Sequence, residues 1–236
     1  MIGVVYIARG ADPNWEARFR RFVTSYLAHS SGCLHNRYVI HKEYARPEDY
    51  YLARGILEPL HAKHITQYAE RNALALPGII FETRYDIAEK DVFLLNSSSE
   101  IMHPQWLKLL DDNYRLPAVG LVGCTGSFGF ITEFFPQLTY PNIHVRDTAI
   151  LVNKDFYCDV AAYHLEKGGA RGGTLAFEHG PDSLTRQVLR EGKTVLVVEA
   201  DGRGRAPHEW PDGTTYRGNQ HNVLVLDRGA RDYQDL

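Results

Sequence analysis

The sequence lacks the features that define several large classes of protein. Its three cysteines are far apart and form no Cys-x-x-Cys pair, a pattern typical of free thiols in a reducing compartment. The net charge of -3 gives no basic surface for nucleic acid or an anionic membrane. No apolar run approaches the roughly 20 residues that cross a bilayer, and residues 2–8 are typical of a strand and not of a secretion signal. We therefore expect a cytoplasmic protein with no nucleic-acid partner and no membrane span.

Familiar nucleotide and metal motifs are missing as well. The first apolar run ends in Arg9-Gly10-Ala11-Asp12, which is not the Gly-x-Gly-x-x-Gly of a dinucleotide-binding fold. Residues 123–129 are rich in glycine but lack the lysine and the spacing of a P-loop. The histidines show no His-Glu-x-x-His spacing. These absences disfavour a dinucleotide-dependent enzyme, a P-loop nucleotidase and a zinc hydrolase.

What the sequence does contain is an alternation of strands and helices. Residues 2–8 form a continuous apolar run, Asp12 and Pro13 then begin a helix with an apolar stripe, and residues 37–41 form a second strand. This order predicts a parallel βαβ unit. Further strands are predicted at 78–81, 92–95, 118–123, 144–152, 194–198 and 223–226. With no repeat or linker, we expect one α/β domain over residues 1–236, a mostly parallel central sheet flanked by helices.

One strand ends in a polar turn that is a candidate binding site. Residues 92–95 are apolar and are followed at once by Asn96, Ser97 and Ser98. Open α/β sheets bind ligands at the carboxyl ends of their strands, so these side chains are placed where a ligand is expected. The alternative is an ordinary turn whose small polar residues cap the backbone.

Several short segments, taken in order, resemble a known family. They are Phe93-Leu-Leu-Asn-Ser-Ser-Ser99 with Trp106-Leu107, Val119 to Ser127, Pro141-Asn-Ile-His-Val-Arg146, Phe177 to Gln187, Val197 to Gly202, Trp210, and the tail from Asn222 to Arg231. The ordered set resembles bacterial glycosyltransferase-like proteins with the GT-A fold, in the nucleotide-diphospho-sugar transferase superfamily. The resemblance covers most of the chain. It implies a Rossmann-like, GT-A-like domain that moves a sugar from a nucleotide-sugar donor to a saccharide or other hydroxyl acceptor, an activity suited to polysaccharide or surface-glycan assembly.

The chain departs from this family at two places. The metal-binding Asp-x-Asp of GT-A enzymes is replaced by Asn96-Ser97-Ser98, and a glycine-containing Asp-x-Gly-x-Asp stretch is replaced by Glu82-Thr-Arg-Tyr-Asp86. Divalent cations prefer carboxylate oxygens, so Mn²⁺ or Mg²⁺ dependence is expected to be weak or absent. The departures also leave open a second function, a catalytically inactive module that binds a nucleotide or a glycan.

The donor is expected across the carboxyl ends of the predicted strands at residues 2–8 and 92–95. The residues predicted to line it are Arg9, Asp86, Asn96, Ser97 and Ser98. Without a metal, the charge of the diphosphate leaving group needs fixed cations. The cations considered for this role are Arg146, His144, His208 and Arg217, each of which is otherwise a solvated surface group.

The catalytic candidates lie in the second half of the chain. Glu178 follows a predicted flexible loop at 168–173 and precedes a helix, where the family carries a base, so an inverting reaction is favoured. The alternative is a capping or surface carboxylate. Asp182 is a second catalytic candidate but is also explained as a helix N-cap. His144 and Arg146 share one face of a strand, as phosphate or acceptor contacts or as a structural pair. Asp147 and Trp210 complete the predicted acceptor contacts.

Overall fold

The computed structural model describes residues 1–67, 76–215 and 221–226. In chain order its elements are β1 (Ile2–Arg9), α1 (Trp15–Ala28), β2 (His35–Lys42), α2 (Pro47–Leu57), a 3₁₀ turn (Glu58–Leu60), β3 (Lys63–Thr66), α3 (Leu76–Thr83), β4 (Asp91–Leu95), β5 (Glu100–Ile101), α4 (Trp106–Tyr114), β6 (Val119–Gly123), β7 (Gly126–Ser127), β8 (His144–Val145), β9 (Ile150–Asn153), α5 (Lys154–His179), α6 (Leu184–Arg190), β10 (Thr194–Val198), β11 (Gly204–Arg205), a second 3₁₀ helix (Pro207–Asp212) and β12 (Val225–Leu226).

The central feature is an eight-stranded sheet in the order β11-β10-β6-β9-β4-β1-β2-β3. Strands β1, β2, β3, β4, β6 and β10 run in one direction, while β9 is antiparallel to both of its neighbours and β11 is antiparallel to β10. Two small sheets, β5 with β12 and β7 with β8, lie outside it. The predicted α/β class with a mostly parallel sheet is confirmed.

The two faces of the sheet carry separate cores, which explains why β1 is apolar throughout. Ile2, Val4 and Tyr6 pack with α1, α2 and α4, whereas Val5 and Ile7 pack with α3, α5 and α6. Alternate residues of a strand point to opposite faces, so a strand covered on both sides must be a continuous apolar run. This arrangement leaves only the strand ends available for a polar site.

Helix α1 fixes the position of the polar turns at one edge of that sheet. Phe19 and Phe22 are buried, and the ring of Phe22 stacks on Tyr6 of β1 with 3.8 Å between centroids. The helix begins at Trp15, after Asn14 in the left-handed region with φ 53°. The predicted start at Pro13 with an Asp12 cap is therefore wrong by two residues, and the Asp12 side chain is free to take part in the site described below.

Three other local predictions are corrected. Residues 78–81, predicted as a strand, belong to helix α3, because a short apolar run does not distinguish a buried strand from a buried helix. Strand β3 was not predicted, since its sequence Lys-His-Ile-Thr has a single apolar residue. The strand predicted over 144–152 is two strands, β8 and β9, separated by a turn in which Ala149 has φ 56°.

The glycine-rich stretch 168–173, predicted as a flexible loop, lies within the bounds of helix α5. However, the ring of Phe177 lies 4.9 Å from the ring of Tyr157 and 5.9 Å from that of His164. Residues 20 apart in a straight helix are separated by about 30 Å. The parts of α5 at residues 154–167 and 173–179 therefore pack on each other, and we call them its two limbs. Among the described residues, no helix is long and apolar enough to cross a membrane.

Two glycines provide a matched test of this packing. A Cβ at Gly126 would lie 2.6 Å from the indole of Trp210, which has no exposed surface. We expect Gly126→Ala to lower the free energy of unfolding by about 1–3 kcal/mol, the usual cost of overpacking. A Cβ at Gly55, in helix α2, meets nothing within 4 Å. Gly55→Ala should instead raise stability by about 0.5–1 kcal/mol, as alanine does in helices. Urea titrations of both variants measure the two changes, and equal shifts of the same sign would contradict the packing.

Candidate functional site

A polar cluster joins the carboxyl ends of neighbouring strands β1 and β4. We call it the Arg9–Arg18 cluster; it consists of Arg9, Asp12, Arg18, Ser97 and Ser98. Asp12 accepts a hydrogen bond from the hydroxyl of Ser97, and its Oδ1 is 3.0 Å from Nη1 of Arg9. Arg18 donates to Oγ of Ser98 at 2.8 Å, and its Nη1 lies 3.8 Å from Asp12 Oδ2. Because β1 and β4 are adjacent and parallel, the turns that follow them meet at one edge of the sheet.

The end of strand β2 adds a third cation to this edge. Glu43 forms ion pairs with Arg9 and with Lys42, the latter at 2.7 Å. Burial opposes ionisation of Glu43, but hydrogen bonds from Lys42 and Arg9 outweigh it, so its pKa lies below the ordinary value. Glu43 is therefore charged at neutral pH. With Arg9, Arg18 and Lys42 against Asp12 and Glu43, the edge has an excess of one positive charge.

The turn that replaces Asp-x-Asp does not fit a divalent cation. Oδ1 of Asn96 accepts hydrogen bonds from the amide of Ser98 at 2.8 Å and from Oγ of Ser99 at 3.2 Å, so it caps its own turn. The hydroxyls of Ser97 and Ser98 are engaged by Asp12 and Arg18. The nearest carboxylate, that of Asp12, lies between the guanidinium groups of Arg9 and Arg18. Within the part of the chain that the structure describes, no group of three or more His, Cys, Asp and Glu side chains could hold a metal ion.

A second cluster lies around β8 and the last turn of α5. We call it the Arg146–Glu178 cluster; it comprises Asn142, His144, Arg146, Glu178 and His179. Arg146 Nη1 is 3.2 Å from Glu178 Oε1, and the two side chains are 22% and 11% exposed. The Asn142 amide donates to the carbonyl of His179 at 2.8 Å. Glu178 lies in the last turn of α5 and precedes helix α6, so its predicted position ahead of a helix is confirmed.

His144 is buried and hydrogen-bonded within this cluster. Its Nδ1 donates to the carbonyl of Asn142 at 2.9 Å, and its ring lies 5.6 Å from that of His179. Burial lowers the pKa of His144 to about 4. The ring is therefore neutral at neutral pH, and the expectation that it supplies a positive charge is wrong. Asp147 follows in the turn between β8 and β9.

Other predicted site residues lie apart from both clusters. Asp86 is at the amino-terminal edge of the sheet, where its Oδ1 is 3.7 Å from Nζ of Lys63, the first residue of β3. This position is opposite to the edge at which a donor role was predicted. Trp210 has no exposed surface, and its Nε1 donates to the carbonyl of Arg205 at 2.9 Å, so it is a core residue. His208 is exposed in the same 3₁₀ helix. Arg217 lies outside the described residues.

Asp182 is held by neighbouring side chains. Its Oδ1 is 2.5 Å from Nη1 of Arg190, and its Oδ2 accepts from the hydroxyl of Tyr163 at 3.2 Å. The hydrogen bond from Arg190 is the main reason that the pKa of Asp182 lies below its ordinary value. The N-cap position of α6 is Ser183, so the capping role considered for Asp182 is not observed.

Sequence reasoning missed Asp12, Arg18, Lys42 and Glu43 as site residues. A signal was present for three of them: Asp12, Lys42 and Glu43 lie at or just after the end of a strand that was correctly located, on the edge where ligands bind. Asp12 was predicted to cap a helix, and the sequence does not distinguish Arg18 from the other polar residues of α1. Only the pairing of β1 with both β2 and β4 shows that the three turns meet.

Comparison with known proteins identifies the fold. No protein-family model and no curated protein sequence matches the chain. Among solved structures, the apo form of mouse xyloside xylosyltransferase 1 is similar with a TM-score of 0.52 at 11% identity, over 84% of this chain and 86% of that chain. HddC from Yersinia pseudotuberculosis has a TM-score of 0.44 at 14% identity, over 67% and 80%. A nucleotidyl transferase from Methanothermobacter thermautotroptrophicus has a TM-score of 0.48 at 12% identity, over 83% and 85%. At 11% identity, the likeness to xyloside xylosyltransferase 1 shows the fold alone, and it confirms the predicted GT-A-like fold class.

Buried histidines make stability depend on pH, and His41 and His144 are the two whose pKa is lowered most. His41 contacts His64 and Tyr44 through its two ring nitrogens, and burial lowers its pKa to about 3, as it lowers that of His144 to about 4. In the unfolded chain both titrate near about 6.5. Below that value the unfolded state binds protons that the folded state does not, so the free energy of unfolding falls as the pH is lowered.

We expect the midpoint of thermal unfolding to decrease steadily from about pH 7 to about pH 5, before carboxylates with ordinary pKa values near 4 begin to contribute. His144→Asn removes one of the most strongly shifted groups and should make the decrease shallower. Calorimetric scans across this range measure both slopes. A midpoint that stays constant or rises on acidification would contradict the neutral, buried state of these rings.

Proposed function

We propose that the protein is a glycosyltransferase that takes a sugar from a nucleotide-sugar donor and transfers it to a hydroxyl acceptor. The observation that carries the proposal is the Arg9–Arg18 cluster at the carboxyl ends of β1, β2 and β4. The GT-A-like fold and the ordered sequence segments support the same class of reaction. Saccharide acceptors are the substrates that the resemblance favours.

The Arg9–Arg18 cluster suits a diphosphate leaving group. When the glycosidic bond breaks, negative charge develops on the phosphate oxygens and must be stabilised by fixed cations or a metal. A guanidinium presents a planar set of N–H donors that match phosphate oxygens, and its charge does not depend on pH in the neutral range. Arg9 and Arg18 are held by Asp12 and Ser98, so they are oriented before a ligand binds. In this proposal they replace the cation of Asp-x-Asp enzymes.

Glu178 is the proposed base of an inverting transfer. Its carboxylate would take the proton of the acceptor hydroxyl while the acceptor oxygen bonds to the anomeric carbon and the bond to the diphosphate breaks. Arg146, 3.2 Å away, would orient the carboxylate. Asp182 is a weaker candidate, because a pKa held below the ordinary range makes a carboxylate a poorer proton acceptor.

The second candidate function is a binding module without turnover. The observation that favours it is the same replacement of the Asp-x-Asp carboxylates, together with the ion pair that already engages Glu178. Such a module would bind a nucleotide sugar or a glycan through the residues described and leave the glycosidic bond intact.

Incubation of the purified protein with a panel of nucleotide sugars tests the proposed function. We expect slow release of the nucleoside diphosphate above the blank, measured by chromatography, and binding of that diphosphate as an increase in the midpoint of thermal unfolding. Arg18→Gln removes the guanidinium while keeping a polar side chain, and should abolish both signals. Arg20→Gln changes an exposed arginine of the same helix and is the matched control.

The outcomes separate the two candidate functions. Binding without release for every donor supports the binding module. Neither binding nor release by the folded wild-type protein contradicts both, and equal effects of the Arg18 and Arg20 changes would remove the Arg9–Arg18 cluster from the donor site.

Glu178→Gln tests the proposed base. The amide keeps the shape of the side chain but cannot accept the proton, so turnover should fall by about a hundredfold or more while diphosphate binding is unchanged. Glu166→Gln, at an exposed position of the same helix, should leave turnover as in the wild type. If Glu178 is only a partner of Arg146, the change should lower stability, by about 1–3 kcal/mol, and leave the turnover of the folded fraction intact. Initial rates corrected for the folded fraction distinguish these results.

A further inference from the structure

A pocket of about 350 Å³ lies between residues 134–137, the two limbs of α5 and the turn at Pro181 and Asp182. We call it the aromatic pocket. Phe134, Gln137, Tyr163, Lys167 and Asp182 line it. It is separate from the Arg9–Arg18 cluster, and of the residues considered from the sequence only Asp182 lies in it.

Two aromatic side chains of the aromatic pocket are partly open to solvent. Phe134 is 45% exposed and Tyr163 is 37% exposed. The neighbouring ring of Phe135 is buried and lies 6.4 Å from that of Phe134, so it supports the exposed ring from behind. Aromatic faces in a concave site bind flat apolar surfaces, including the C–H face of a sugar ring.

The polar groups of the aromatic pocket are fixed relative to these rings. Lys167 donates from Nζ to the hydroxyl of Tyr163 at 2.9 Å and lies 4.2 Å from the centre of its ring. The same hydroxyl donates to Asp182, which Arg190 holds from the other side. A ligand therefore meets a donor, an acceptor and a ring face in one arrangement that does not have to form on binding.

We propose that the aromatic pocket binds one monosaccharide unit of the acceptor, with a sugar face on Phe134 and Tyr163 and its hydroxyls on Lys167, Asp182 and Gln137. A sugar needs both apolar contact and paired donors and acceptors, and the pocket offers them side by side. The acceptor role, though not the binding of a sugar, rests on the proposed function.

The aromatic pocket adjoins the Arg146–Glu178 cluster. The ring of Phe135, which also lines the pocket, meets the ring of His179 edge-on with 5.3 Å between centroids. His179 directly follows Glu178, the proposed base. A saccharide held in the aromatic pocket thus lies next to the element that carries the group expected to take its proton.

Saturation-transfer NMR on the full chain tests this inference. The probes are the methyl glycosides of glucose, galactose, mannose and N-acetylglucosamine, without any donor. We expect saturation of the ring protons of at least one probe. Phe134→Ala should weaken its binding by about three- to tenfold, the loss of one aromatic contact. Tyr163→Phe keeps the ring but removes the hydroxyl that links Lys167 to Asp182, and should weaken binding as well. Tyr51→Ala, at a site that is 71% exposed on α2, is the matched aromatic control.

The result does not depend on turnover. No saturation of any probe by the folded wild type overturns the inference, as does binding that is equal in wild type, Phe134→Ala and Tyr163→Phe. Sugar binding without diphosphate binding supports the proposed role of the aromatic pocket and contradicts the proposed donor site. Diphosphate binding without sugar binding contradicts only the role of the aromatic pocket.

Discussion

Asp12 links two parts of the structure on which the proposed chemistry depends. It accepts a hydrogen bond from Ser97 after β4 and forms an ion pair with Arg9 at the end of β1. Arg18, at 3.8 Å from the same carboxylate, is thereby drawn to Ser98. Without this carboxylate, two guanidinium groups would repel each other at the edge of the sheet. The position of the proposed donor site follows from one short side chain and the pairing of two parallel strands.

The balance of charge at this edge explains how a turn without carboxylates could serve the same purpose as Asp-x-Asp. A metal brings its charge with it and requires several oxygen ligands. Arginines bring the charge permanently, and the protein must then neutralise part of it to remain stable when no ligand is bound. Asp12 and Glu43 do so for Arg9, Arg18 and Lys42 and leave one positive charge in excess. In the proposed donor site, that excess is what the phosphate oxygens would meet.

The sequence predicted those parts of the fold that depend on burial on two sides. Strands β1, β4, β6 and β10 are mainly apolar because both faces of the sheet are covered, and these strands and β2 were each located to within about two residues. The strand predicted at 78–81 was wrong because an apolar segment of this length also occurs in buried helices. Ile79 and Ile80 of helix α3 pack in the core that α3 shares with α5 and α6.

The candidate site could be predicted only in part. Ser97 and Ser98 were found because they follow an apolar strand directly. Asp86 was misplaced because the helix α3 returns the chain to the opposite edge, and Trp210 was misread because an aromatic ring gives no sign in the sequence of whether it is buried. The contacts of Arg18, 80 residues from Ser98 in sequence, depend on strand order and could not be read locally.

The central claim is that arginines, and not a divalent cation, bind the diphosphate of the donor. Calorimetric titration of a nucleoside diphosphate into the protein, once with a chelator and once with manganese, tests it most directly. The account predicts the same affinity in both titrations, because the cations that bind the phosphates belong to the chain. Binding that is absent with the chelator and restored by manganese would contradict it.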